Sequence, residues 1–122
     1  MEHQVQFTVV MQRTSPDVPW FQQSAEHLEY INSAYTQPGL MVIRDVHLSL
    51  DSLIRTVVMN FSSIDARNQY QNDPRVLRQK DERDAHNEAH NIKLTQVYQV
   101  YNENGVVKTQ SRVFTPSAWQ EV

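Results

Sequence analysis

Apolar and polar residues alternate along residues 4–13, QVQFTVVMQR. Val5, Phe7, Val9 and Met11 fall on one side and Gln4, Gln6, Thr8 and Gln12 on the other, the two-residue period of a strand. TSPDVP at 14–19 interrupts it, with Asp17 suited to cap a helix and Pro19 to its first turn. Phe21, Ala25, Leu28, Ile31 and Tyr35 then recur at three- and four-residue steps. This spacing predicts a helix over 18–35 with one apolar stripe, ended by QPG at 37–39. Residues 40–61, LMVIRDVHLSLDSLIRTVVMNF, are too long for one strand, and SLDS at 49–52 supplies turn residues for a hairpin. With that turn at its centre, Asp45 faces Thr56 and Arg44 faces Val57. Val42, Val46, Leu48, Leu53, Val57, Met59 and Phe61 then share one face, and Met41, Ile43, Ile54 and Val58 the other. A sheet wetted on one side does not read this way, so its second face needs a cover.

SSIDARNQYQNDP at 62–74 opens a second helix, capped by Ser63 or Ser62. NDP then marks a break, because the residue before proline avoids helical geometry. Asp73 caps a further segment with Pro74 at its first position. It runs to about 91, with Val76, Leu77, Ala85, Ala89 and Ile92 as a thin apolar stripe. KLTQVYQVYN at 93–102 reads as a strand, NENG at 102–105 as a turn, VVKTQSRVF at 106–114 as a further strand and TPSAWQEV as a tail. The order is β-α-β-β-α-β plus an extra C-terminal strand: one α+β domain over residues 1–122, with the ferredoxin-like arrangement and an antiparallel sheet. That topology puts the first and third strands in the middle, and these carry the most apolar runs.

MNFSSIDARNQYQNDPRV at 59–76 resembles the third strand and second helix of dimeric α+β barrel proteins, the superfamily of the antibiotic-biosynthesis monooxygenases. The shared pattern is an apolar strand, Phe-Ser-Ser, Ala66 and Tyr70 one turn apart, then Asp-Pro before a second helical segment. The resemblance implies a homodimer in which two sheets face each other, the cover that the second face needs. It implies no single reaction, since members include cofactor-independent oxygenases, haem-degrading enzymes and isomerases. Haem-degrading relatives take an iron-ligating histidine from the second helix, with an asparagine on the first strand. Here His86 and His90 stand four apart on a predicted helix, but the first strand has no asparagine.

Composition narrows the chemistry. The formal net charge of −3 with 20% charged residues gives no basic footprint for nucleic acid. There is no cysteine, which excludes disulfides and thiolate chemistry, and two glycines are too few for a Gly-rich phosphate loop. The N-terminus lacks a signal-peptide pattern and no apolar run reaches membrane-spanning length, so a cytoplasmic location is expected. His86-Asn-Glu-Ala-His90 has its acid at the wrong step for a zinc-protease helix, and no third ligand is placed to complete a metal set; the alternative is a solvated helix face. Neither a metal nor another cofactor is expected.

Asp45 and His47 point the same way on one strand, with Thr56 and Asn60 on the same face, an arrangement that could orient a general base or line an interface. Arg44 and Arg55 fall in the apolar phase of their strands and need a partner. That partner is Glu26 or Glu29, or else a ligand carboxylate held in bidentate fashion. Trp20, Phe21 and Tyr70 would line an apolar chamber, because the second helix offers only Ala85 and Ala89 above a very apolar sheet. The expected function is therefore to hold a small hydrophobic ligand, fatty-acid-like, between sheet and helices. Arg44, Arg55, His47, Asn60, Trp20, Phe21 and Tyr70 are its candidate contacts. The alternative is a cofactor-independent monooxygenase acting on an aromatic or polyketide-like substrate, in which Asn60 and Tyr70 or Trp20 orient the substrate.

Overall fold

The computed structural model describes residues 4–102, 105–115 and 118–121; part of the expected NENG turn lies outside them. The chain is α+β. Strands β1 (Gln4–Gln12), β2 (Met41–Leu48), β3 (Ile54–Phe61), β4 (Lys93–Asn102), β5 (Gly105–Thr115) and β6 (Ala118–Glu121) form one antiparallel sheet in the order β2-β3-β1-β4-β5-β6. β1 and β3 are interior, as their apolar runs require. The expected tail contains β6, which pairs with β5 from Thr115↔Ala118 to Arg112↔Glu121.

Three helices lie on one face: α1 (Ala25–Ile31), α2 (Ile64–Gln71) and α3 (Pro74–Ala89). α1 begins seven residues later than the spacing of Phe21 and Ala25 suggests, because Ser24, not Asp17, is its cap; the Ser24 hydroxyl accepts from the His27 amide at 3.1 Å. Residues 18–24 stay irregular, so Trp20 and Phe21 come from a loop. α1 runs on into one wide turn, Asn32–Thr36, closed by Gln37 N–H to Asn32 C=O at 2.8 Å. That extra residue per turn rotates Tyr35 into the core, where it is 1% exposed. α1 therefore buries His27, Ile31 and Tyr35, while Leu28 faces outward at 53% exposure.

Ser63 and Asp73 cap α2 and α3 as their sequence positions dictate, and Pro74 occupies the first turn of α3. The inward face of α3 differs from the expected stripe. Val76 and Asn87 are buried and Lys80 and Arg83 partly so, whereas Leu77, Ala85 and Ala89 are exposed. The track 76–80–83–87 has the 3.6-residue period, but it is mostly polar and so invisible to an apolar-stripe reading. Beneath the helices lies a core of Val5, Ile31, Tyr35, Met41, Phe61, Ala66, Val76, Tyr98 and Val100. Val9, Met11, Ile92 and Leu94 form a second cluster.

The hairpin register is offset from the expected one. Leu48 pairs with Arg55 and His47 with Thr56, two residues away from Asp45 opposite Thr56. A bulge at Arg44, between Ile43↔Met59 and Asp45↔Val58, then reverses the phase of β2. Met41 and Ile43 thus join the helix side, and Val42 turns to the other, open side. That open face is less apolar than the sequence suggests. Along β1, β3 and β4 it carries Val10, Ile54, Val58, Val97 and Tyr101, interleaved with Gln6, Thr8, Thr56, Asn60, Thr95 and Gln99. It is partly buried even within one chain, and none of these eleven open-side residues of the central strands is charged; Arg55, within β3, points to the helix side.

At the hairpin tip, Ser52 has φ 64°, a left-handed conformation, while Asp51 accepts from the Leu53 amide at 3.0 Å. Ser52→Gly relieves the Cβ clash there but adds entropy to the unfolded chain, so a net gain of roughly 0.5–1 kcal/mol is expected. A thermal melt of the two proteins checks it: an unchanged or lower midpoint contradicts a strained tip.

Candidate functional site

A cleft of about 390 Å³ opens between the helix side of the sheet and helices α2 and α3. Its floor is Phe7 of β1, Phe61 of β3 and Gln96 and Tyr98 of β4. Its wall is built by Arg67 and Tyr70 of α2 and by Lys80, Asp81, Arg83 and Asp84 of α3, and its far side by Gln110 and Arg112 of β5. The polar track of α3 explains this directly. Where a helix of this kind would normally lay leucines on a sheet, this one lays a lysine and an arginine, and large side chains with charged heads leave a wet gap.

Four cations and two carboxylates therefore line the cleft. Arg83 pairs with Asp84 at 3.1 Å. The Arg67 guanidinium lies over the Tyr98 ring, 4.1 Å from its centroid, and burial, with Arg112 adding its charge, lowers its pKa. Lys80 Nζ lies 5.7 Å from the Tyr70 ring centroid and 6.0 Å from that of Phe7. Burial pushes Lys80 down to about 8; Arg83, Arg67 and Arg112 push the same way, and Asp84 opposes them. Burial also raises the Tyr70 phenol. A smaller cavity of about 40 Å³ adjoins the cleft through Phe7, Tyr70, Lys80 and Arg83, and is otherwise bounded by Phe21, His27, Met59 and Val76 among others.

The cleft is held by a polar brace behind it. Asp73, between α2 and α3, accepts from the Tyr30 hydroxyl at 2.5 Å, the Tyr35 hydroxyl at 2.6 Å and the Arg75 amide at 2.9 Å. Tyr35 in turn meets Tyr70 edge-on, with ring centroids 5.1 Å apart, and Tyr70 meets Phe61 at 5.2 Å. One carboxylate thus ties the end of α1 to the start of α3 and steadies the aromatic wall.

The structure distributes the seven sequence candidates over both sides of the sheet. Tyr70 lines the cleft and Phe21 the smaller cavity. Trp20 instead sits under the Arg13 guanidinium at 4.4 Å, whose Nε and Nη1 donate to the carbonyls of Ser52 and Val18 at 2.8 Å each. His47 and Asn60 share the open face with Asp45 and Thr56, by register. In the amide orientation that satisfies both ends, Asn60 accepts from Arg44 Nη1 at 3.2 Å and donates to the Met59 carbonyl at 3.3 Å. Arg55 is on the helix side, paired with Met11 and Leu48. The bulge and the offset register separate Arg44 from Arg55, and neither makes an ion pair with Glu26 or Glu29 among the described residues. Asn60 lies on the open face, opposite the helix side to which Tyr70 belongs.

His86 and His90 stack with ring centroids 4.1 Å apart. His86 Nε2 donates to the Pro19 carbonyl at 2.8 Å and its ring lies 5.8 Å from Phe21, so the pair clips the 13–24 loop to α3. His90 Nδ1 donates to the His86 carbonyl at 2.8 Å. Among the described residues no group of three or more His, Asp or Glu is gathered as a metal set, and no helix is long and apolar enough to cross a membrane.

Sequence reasoning did not single out Arg67, Lys80, Arg83 and Arg112. The available signal was Val76 itself: once it is taken as the core anchor, 80, 83 and 87 must follow it inward. Compared with protein-family models, curated proteins and solved structures, the chain finds no match.

Proposed function

We propose that the chain binds a small amphiphilic acid in the cleft between the sheet and α2–α3, and that it does so as a homodimer. One observation carries the reading: four cationic side chains and two carboxylates stand over a floor of Phe7, Phe61 and Tyr98 in a cleft of about 390 Å³. An apolar body stacks on the rings, and a carboxylate or phosphate meets Arg67, Arg83 or Arg112. The polar wall favours a short aromatic or branched acid over the long alkyl chain of a fatty acid.

The strand order, with β1 between β3 and β4 and β2 outside β3, supports the ferredoxin-like reading and with it the dimeric α+β barrel. A central open face free of charge, half valine, isoleucine and tyrosine, is the composition of an interface core. Two such faces packed together leave both clefts on the outside, under their own helices.

Titration calorimetry tests the ligand class. Aromatic carboxylates such as 4-methylbenzoate are expected to bind, and their uncharged amides to bind more weakly or not at all. Arg67→Ala is expected to weaken the acid by about tenfold or more, the loss of one charge-assisted contact. Equal binding of acid and amide, or no binding of any acid at millimolar concentration, overturns the reading.

A further inference from the structure

We infer that Lys80 is a carbonyl-reactive amine, and that the acids held in the cleft are aldehyde or keto acids captured through a Schiff base. The inference deepens the acid-binding reading and rests on it. Its first ground is position. Nζ of Lys80 is set between the Tyr70 and Phe7 rings, where the main cleft and the smaller cavity meet. An electrophile stacked on those rings presents its carbon to the amine, while its acid group reaches the guanidinium of Arg67 or Arg112 on the far side. The second ground is company. Among the described residues Lys80 makes no hydrogen bond or ion pair; its nitrogen meets only the faces of the two rings, which leave its lone pair without a donor.

The charged groups of the cleft around it are cationic on balance: Arg67 from α2, Arg83, Asp81 and Asp84 from its own helix and Arg112 from β5, with the phenol of Tyr70 closing the wall. A partly buried lysine beside other cations holds a usable fraction of free base near neutrality, which is how amines are activated toward carbonyls. The lowered pKa of about 8 agrees with that geometry. The reaction balances without any further reagent. The free amine attacks the carbonyl carbon, a C–N bond forms, and both N–H protons leave with the carbonyl oxygen as water. Nothing is oxidised or reduced. The imine takes up one proton from solvent and returns the positive charge to a site already built to hold an anion beside it.

The chain has three lysines, Lys80, Lys93 and Lys108, which makes the test clean. The full chain is incubated with 4-formylbenzoate, an aromatic aldehyde acid, and cyanoborohydride, and the reduced adduct is located by peptide mapping. The expected result is labelling of Lys80 roughly tenfold or more faster than of Lys93, because the lowered pKa of Lys80 and an acid group held by the guanidiniums both favour attack there. The rate should level off above the value of about 8 given by its surroundings. 4-Formylbenzamide, which offers no charge to the guanidiniums, should label Lys80 more slowly than the acid does, and Lys80→Met should remove the fast phase while leaving circular dichroism unchanged. Even labelling of all three lysines, or a rate that climbs steadily into the range of an exposed lysine, overturns the proposal. Calorimetry with 4-methylbenzoate separates the two failures: binding without selective trapping removes the Schiff base and leaves the acid site, and absence of both removes the two together.

Discussion

Asp73→Ala is expected to lower the stability of the folded chain by about 3 kcal/mol, since it removes a helix cap worth about 1 kcal/mol and the charged acceptor of two phenols. Tyr35, 1% exposed, then has its hydroxyl buried with only a long contact of 3.4 Å to the Gln69 carbonyl. A urea transition with a lower midpoint and unchanged slope is the expected signature. Asp73→Asn should lose less, because a neutral amide oxygen still caps α3 and still accepts from one phenol. If the alanine variant unfolds at the wild-type midpoint, the brace carries no weight.

The same carboxylate shapes the acid limb of stability. Burial pushes the Asp73 carboxyl up, but bonds from Tyr30, Tyr35 and the amides of Arg75 and Val76 together outweigh it and hold it below its usual 3.8. A group depressed in this way stabilises the fold above its unfolded value, and the contribution is lost as the pH falls through the lower folded one. His27 acts in the same direction at higher pH. Its burial, only partly opposed by Asp73 and Glu82, lowers it from 6.5. Below that value the unfolded chain takes up a proton that the folded chain resists. Stability should therefore decline in two stages on acidification, the second of them smaller in Asp73→Ala.

Val58→Glu is expected to separate the proposed homodimer into monomers. Val58 pairs with Thr8 of β1 on one side and Asp45 of the outer strand β2 on the other, on the open face. A symmetric interface receives every substitution twice, and an unpaired buried carboxylate on each side costs several kcal/mol, so association weakens by about a hundredfold or more. Sedimentation velocity at micromolar concentration measures it, with the melting curve as a control for folding. A wild-type chain that already sediments as a stable monomer contradicts the dimer, and leaves the cleft, which belongs to one chain, unaffected.

The strands, and the caps at Ser63 and Asp73 with Pro74, were legible because each depends on a few neighbouring residues. What the alternation could not reveal was where it skips. The bulge at Arg44 moves Val42 and Ile43 to opposite faces from those expected, and nothing in RDVH distinguishes a bulged strand from a regular one. The wide turn after Ile31 does the same to a helix, which is why Leu28 looks inward in sequence and points outward in space. The cleft was hidden for a different reason. An apolar stripe signals a filled core, whereas a functional cavity is a place where that signal is withheld. Lys80 and Arg83 occupy inward positions of α3 that a stability-driven sequence would give to leucine.

The kink at Arg44 also bears on solubility. β2 is an outer strand, and Val42, Ile43, Val46 and Leu48 on it are all about half exposed. A straight strand of that character would template the addition of another chain along its free backbone groups. The extra residue twists the rim at its midpoint and sets Arg44 and Asp45 there, so that edge-to-edge growth into fibres meets a bend and a pair of charges.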